Sequence, residues 1–352
     1  MRINQKRMNL VLGRLMQALQ AKEYPYNLDG VTAPQIASNM PHNLRLGSRE
    51  HALFLFCTCY WMRGGIQSDT AFRSLARLHE AHPEIFVPEK AHLFLEDYLA
   101  QKFKEYRLGF QAKQIARFWI INFVRLADWY DGDPVKLFTD IHTYEAACDR
   151  IENQRAKKSG QEGFYGFRKK MVSMLIYFLT DTGFIKPFHF PPPVDFHVLR
   201  IFVAHRMLTL SAREQTGWIY ERLADRVRHY LSIYCLKYKV DPLRLCDAMW
   251  LLSRALCNQH PGNNSIVGKM EMVNGARIRV RMGRRTAIKP TIITWSEAQT
   301  FAYLRSCGSC PVEQSCSLLI PSANYYVSGV IKVRGERTKS PQQILFKPYI
   351  EW

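Results

Sequence analysis

Cys307-Gly-Ser-Cys310-Pro-Val-Glu-Gln-Ser-Cys316 sets three thiols in a C-x2-C-x5-C array. Thiolates at this spacing can wrap a short loop around one compact metal centre, and a cubane iron–sulfur cluster needs four of them. The fourth must come from elsewhere. Cys257, closing the helical pattern Asp247-Ala-Met-Trp-Leu-Leu-Ser-Arg-Ala-Leu256, is the first candidate and Cys246 the second. Four cysteines also suit zinc, and spacing alone does not choose between the two metals. Cys57, Cys59, Cys148, Cys235 and Cys246 stand in apolar, helix-like surroundings, where a thiol serves as a small core residue. Nine cysteines without a secretory signal read as buried thiols or metal ligands rather than disulfides.

Outward from the array, the chain is basic. It carries 49 Lys and Arg against 30 Asp and Glu, a formal net charge of +19, at 47% apolar composition. That imbalance calls for a polyanion, nucleic acid or an anionic membrane surface. Membrane binding would want a basic helix with a strongly apolar opposite face, so nucleic acid is favoured. The charge is clustered: Arg150, Arg155, Lys157, Lys158, Arg168, Lys169 and Lys170 in one segment, then Lys269, Arg277, Arg279, Arg281, Arg284, Arg285 and Lys289 in another. Taken alone, either cluster could be a solvated face. Met1–Leu19 reads as an amphipathic helix rather than a signal peptide, and the longest apolar run, Met171–Leu179, is about half of a membrane span. The expected location is cytoplasmic, associated with the nucleoid.

Apolar periodicity predicts a mostly helical chain, with helices over 1–22, 48–63, 70–81, 89–104, 112–130, 134–141, 143–152, 167–179, 195–208, 213–236 and 242–257. Arg277-Ile-Arg-Val-Arg281 alternates strictly, which would put Arg277, Arg279 and Arg281 on one face of a strand, followed by a hairpin turn at Met282–Arg285. The tail after Cys316 keeps β-like runs.

The segments Ala248–Cys257 and Cys307–Cys316 together resemble the cluster loop of the endonuclease III and adenine-mismatch glycosylase family, within the helix–hairpin–helix DNA glycosylase superfamily. There the pattern is C-x6-C-x2-C-x5-C around a [4Fe–4S] cluster. The last two spacings agree, whereas 49 residues separate Cys257 from Cys307. Upstream, Phe164-Tyr-Gly166-Phe167-Arg168-Lys169-Lys170-Met-Val is similar to the family's L-P-G-V-G-x-K-x-A hairpin, and Pro193-Val-Asp195-Phe-His-Val-Leu-Arg200 to its V-D-T-H-x-x-R segment. Gly64-Gly-Ile-Gln67 is loosely similar to the loop whose glutamine fills the gap left by a flipped base.

The resemblance implies a two-lobed, mostly α fold with a small β-containing insertion in the cluster loop. A six-helix barrel with the hairpin would occupy 41–190. A cluster domain would combine 1–40 with 191–352, including a basic insertion at 258–306 and an extension at 317–352. It implies a monomer that binds double-stranded DNA and excises a damaged or modified base. Lys170 would be the Schiff-base nucleophile and Asp195 the shared carboxylate. Gly166, Phe167, Arg168, Lys169 and Gln67 would contact DNA, and Cys257, Cys307, Cys310 and Cys316 would hold [4Fe–4S], with zinc the alternative; outside the resemblance, the charge of Arg277, Arg279 and Arg281 suits a further DNA contact.

The chemistry suits these residue types. Glycosidic cleavage builds positive charge on the sugar, which a carboxylate stabilises. An amine made neutral by desolvation and neighbouring positive charge can attack the anomeric carbon. Without Lys170, Asp195 would activate water, giving base removal without strand cutting. Arg168 replaces the family's second hairpin glycine, which implies an altered turn. A non-catalytic iron–sulfur DNA-binding protein and an N-glycosidase acting on RNA or a free nucleotide are the competing readings. His189 and His197 flank Asp195, but proline-rich spacing and the lack of a third ligand weigh against a metal site there.

Overall fold

The computed structural model describes residues 2–61, 68–107, 111–153, 162–209, 220–257 and 309–316, with short strands at 270–271, 277–278, 331–333 and 342–344. The described chain is mostly helical. It divides into two compact units, one formed by Met1–Thr32 with Val194–Trp352 and the other by Ala33–Pro193. The boundaries expected from sequence, at 41 and 191, differ from these by eight and three residues.

The Ala33–Pro193 unit holds six α-helices among the described residues: α2 (Arg49–Trp61), α3 (Ser68–Ala81), α4 (Glu96–Glu105), α5 (Ala112–Tyr130), α6 (Tyr144–Ile151) and α7 (Lys169–Asp181). Every residue of α2 from His51 to Trp61 is buried, so α2 has no solvent face and runs through the middle of the unit, touching α3, α5 and α7. Its aromatic side chains build the core. Phe56 stacks on Phe167 at 5.0 Å, Trp61 meets Phe103 edge-on at 4.9 Å, and Tyr60 meets Trp119 at 5.4 Å. The polar ends of the two buried indoles are satisfied, Trp61 Nε1 by Ser74 Oγ and Trp119 Nε1 by the Ile85 carbonyl, both at 2.9 Å. The helix expected over 89–104 is a 3₁₀ turn, Pro88–Leu93, followed by α4. Leu95 adopts extended backbone between them, and Glu96 and Asp97 restart the helix where acidic side chains favour its N-terminus. The helix expected over 134–141 is likewise a 3₁₀ turn, Pro134–Phe138, capped by Asp133.

The second unit packs α1 (Gln5–Gln20), α8 (Phe196–Ala204), α9 (Tyr220–Tyr238) and α10 (Pro242–Ala255) around one core. Met8, Val11, Leu12 and Leu15 of α1 meet Val198, Leu199 and Phe202 of α8, Leu223, Val227 and Leu231 of α9, and Ala248, Met249 and Leu252 of α10. β1 (Arg2–Ile3) pairs antiparallel with β2 (Leu208–Thr209). In the basic insertion, β3 (Met270–Glu271) pairs with β4 (Arg277–Ile278), so the described partner of Arg277 lies upstream of it. β5 (Ile331–Val333) pairs with β6 (Gln342–Ile344) in the tail. Arg279, Arg281 and the turn expected at 282–285 lie outside the described residues, as does Gln67. Among the described residues, no helix is long and apolar enough to cross a membrane.

Candidate functional site

In the Ala33–Pro193 unit the site is a helix–turn–helix segment. α6 ends at Ile151, and residues 151–153 lie directly against 163–167. The Phe164 N–H donates to the Ile151 carbonyl (2.9 Å), and the Asn153 N–H to the Phe167 carbonyl (3.0 Å). Gly163 sits so close to this crossing that a Cβ there would stand 2.2 Å from the Glu152 carbonyl oxygen, so only glycine permits the approach. The chain then reverses through Phe164–Phe167, closed by the Phe167 N–H on the Phe164 carbonyl (3.1 Å), with Gly166 at φ +87°. Positive φ at the third position of such a turn favours glycine. Arg168 follows at φ −122°, ordinary extended backbone that any side chain adopts. The replaced glycine therefore leaves no strain, and the left-handed residue of this turn is Gly166.

Arg168 is the N-cap of α7 and makes no side-chain cap; the first turn has no acidic residue and begins with Lys169 and Lys170. Cations at a helix N-terminus oppose the helix dipole, and a bound anion offsets that repulsion. The Lys169 carbonyl accepts from Tyr144 Oη (2.9 Å), itself bonded by Ser173 Oγ (3.2 Å), which ties α7 to α6. Lys170 is half-buried, and its ammonium acts on the fully buried thiol of Cys59, opposing the rise that burial imposes there. Phe167 is completely buried against Phe56, so its side chain is part of the core.

Asp195 opens α8 in the other unit. Its Oδ1 accepts from the backbone N–H groups of His197 (2.8 Å) and Val198 (3.2 Å), and the residue is 8% exposed. This is the N-cap geometry a short acidic side chain favours. His197 is held in turn, its Nδ1 3.0 Å from Ser253 Oγ on α10 and its ring edge-on to Trp250.

The cysteine array is described from Ser309 to Cys316; Cys307 lies outside the described residues. Residues 310–316 form a succession of tight turns, with Glu313 N–H on the Cys310 carbonyl and Cys316 N–H on the Glu313 carbonyl. Three anchors hold the loop to its unit. Val312 is buried in the core, Arg7 Nη2 donates to the Ser315 carbonyl (2.9 Å), and His205 Nδ1 lies 2.8 Å from Ser315 Oγ. Arg7 Nε also holds the His205 carbonyl (2.8 Å). Burial, and then Arg7, push the His205 imidazole down to about 3, so it is neutral. Cys310 and Cys257 both bear electrostatically on Tyr26. Burial raises its phenol far above the usual range, and both thiols act on it in the same direction, while its hydroxyl donates to the Ala248 carbonyl (2.7 Å). Cys316 lies in the same anchored loop as Cys310. The donor chemistry fits a thiolate-bound centre. Among the described residues, no group of three or more His, Cys, Asp or Glu side chains is placed to hold a metal ion.

Apolar periodicity does not reveal the grip that α5 takes on the turn. Asn122, Arg125 and Trp129 stand at helical spacing on one side of α5 and all engage residues 162–165. The signal was an asparagine and an arginine inside an otherwise apolar helical run. No family model matches this chain, and no curated protein sequence matches it.

Proposed function

We propose that this chain is a DNA N-glycosylase of helix–hairpin–helix architecture that takes a damaged or modified base out of the duplex and cleaves its glycosidic bond. The observation that carries the reading is the glycine turn Phe164–Phe167 running straight into α7, whose uncapped first turn bears Lys169 and Lys170. The N-terminus of a helix and two lysines beside it suit a backbone phosphate, a contact that positions DNA without reading sequence. A net charge of +19 supports duplex DNA as the partner.

Lys170 is the nucleophile in this reading. Its neutral amine attacks C1′ of the extruded nucleotide, and the base departs with the glycosidic electron pair and takes up one amine proton; the C1′–O4′ bond then breaks, O4′ takes the second amine proton, and an imine to C1′ remains. Asp195 supplies the carboxylate that stabilises positive charge on the sugar as the bond breaks. Cys257, Cys307, Cys310 and Cys316 would hold a [4Fe–4S] cluster that pins the 309–316 loop and breaks no bond; a bound zinc would serve the same structural end. The protein acts as a monomer, close to the chromosome.

Asp195 as a satisfied N-cap favours one competing reading, a non-catalytic DNA-binding protein in which the carboxylate is purely structural. Duplexes each carrying one altered base separate the two. The expected result is release of at least one base type by the wild-type protein and loss of release in Asp195→Asn. Salt-dependent duplex binding without release from any duplex would favour the non-catalytic reading.

A further inference from the structure

The Phe164–Phe167 turn does not hold its shape by itself. Asn122, fully buried on α5, closes two hydrogen bonds with one residue of the turn: its Nδ2 donates to the Tyr165 carbonyl (2.8 Å), and its Oδ1 accepts from the Tyr165 N–H (2.7 Å). The amide thereby mimics a strand edge and fixes the peptide planes on either side of Tyr165. One turn along α5, Arg125 donates to the Gly163 carbonyl and pairs with Glu162. Its guanidinium lies 4.9 Å from the Tyr165 ring and 5.5 Å from the Trp129 ring, and Phe118 meets Tyr165 at 5.5 Å. The Arg125 side chain is 11% exposed.

We infer that Asn122 and Arg125 are positioning residues for DNA binding: they set the backbone of residues 163–166 so that Gly166 and the first turn of α7 present their donors to phosphate in one geometry. The inference rests on the proposed DNA-binding role of that turn. The physical reason is preorganisation. A short turn with free peptide planes would have to be ordered by the ligand itself, at a cost in affinity. An amide that satisfies both backbone groups of Tyr165 removes that freedom before DNA arrives. A buried asparagine with neither bond made would be strongly unfavourable, which keeps the turn and α5 together. Arg125 differs from Lys169 and Arg168 in purpose. Its charge is spent on Glu162, a carbonyl and two rings, so it works on the turn and not on phosphate.

Fluorescence anisotropy of full-length protein on a duplex with a stable abasic-site analogue, at several salt concentrations, tests this. Asn122→Ala removes no charge, yet should weaken binding by about tenfold or more and flatten the salt dependence, because the α7 lysines lose their register with phosphate. The helical circular-dichroism signal should stay at the wild-type level. Arg125→Met, which keeps the packing stem, should weaken binding similarly and serves alone if Asn122→Ala does not fold. A folded Asn122→Ala that binds within about twofold of wild type with the same salt slope overturns the inference. The same result for Arg125→Met would do so too. Salt-dependent binding that Asn122→Ala loses, in a protein that releases no base, would leave the inference standing and sink the glycosylase reading. A wild-type protein without salt-dependent duplex binding overturns both.

Discussion

The Lys170 ammonium bears electrostatically on the buried Cys59 thiol of the central helix α2 and opposes the rise that burial imposes on it. Lys170 itself is half-buried at the start of α7, directly after the glycine turn. Cys57 and Cys59 are both completely buried, and burial pushes both thiols up. Neither should react with a thiol reagent faster than the unit opens, in wild type or in Lys170→Ala. Mass spectrometry of briefly alkylated native protein checks this; rapid labelling of Cys59 would place Lys170 in a more open site.

Asp195 separates structure from chemistry, because asparagine caps a helix about as well as aspartate. Asp195→Asn should therefore melt near wild type while excising bases roughly 100-fold or more slowly. Asp195→Ala should lose about 1 kcal/mol as well. Single-turnover release beside thermal melts distinguishes the two effects, and an active Asp195→Asn would leave this residue as a cap and nothing more.

His205 makes stability depend on pH. Its folded-state value lies at about 3, below the ordinary value of 6.5, so the unfolded chain binds the proton more readily. Its contribution is complete above about 6.5 and is lost progressively as the pH falls toward 3, at up to about 1.4 kcal/mol per pH unit. Buried His51 and His79 are lowered too and add to the same slope. Denaturant titrations from pH 7.5 to 4.5 should show a shallower decline in His205→Gln than in wild type; equal slopes would contradict the buried, neutral assignment.

Phe167 is core although it lies in the turn, so Phe167→Ala should cost about 3–5 kcal/mol, the range for emptying a buried aromatic site. A change below about 1 kcal/mol in denaturant midpoint stability would mean that the stack on Phe56 does not carry the turn.

Purified protein should absorb visibly at about 400 nm if thiolates hold iron and sulfide, and should be colourless with bound zinc in the alternative case. Cys310→Ser and Cys316→Ser should each reduce the bound metal. Metal content unchanged in both variants would remove the array from the site.

Much of this was legible in sequence. α5 begins and ends where its apolar period and the Asp131-Gly132 break place it, because local pattern and packing agree there. The 89–104 segment carries the same kind of pattern but splits at Leu95, and a periodicity count does not see where two acidic residues restart a helix. Gly166 was readable as the turn residue. The φ of Arg168 was not, since the altered turn expected there assumed a second left-handed position that this turn does not use. Asn122 was hidden for a different reason. Its partner is backbone 43 residues away, and hydrogen bonds to backbone leave no trace in the partner's side-chain type. The burial of the Phe167 side chain is not readable in sequence either, since it is decided by Phe56 of α2, which is distant along the chain.

The most direct measurement is borohydride trapping on duplex DNA containing an abasic site, followed by identification of the modified peptide. The account predicts a covalent adduct on Lys170 that is absent from Lys170→Ala. An adduct on another amine, or undiminished trapping by Lys170→Ala, would contradict it.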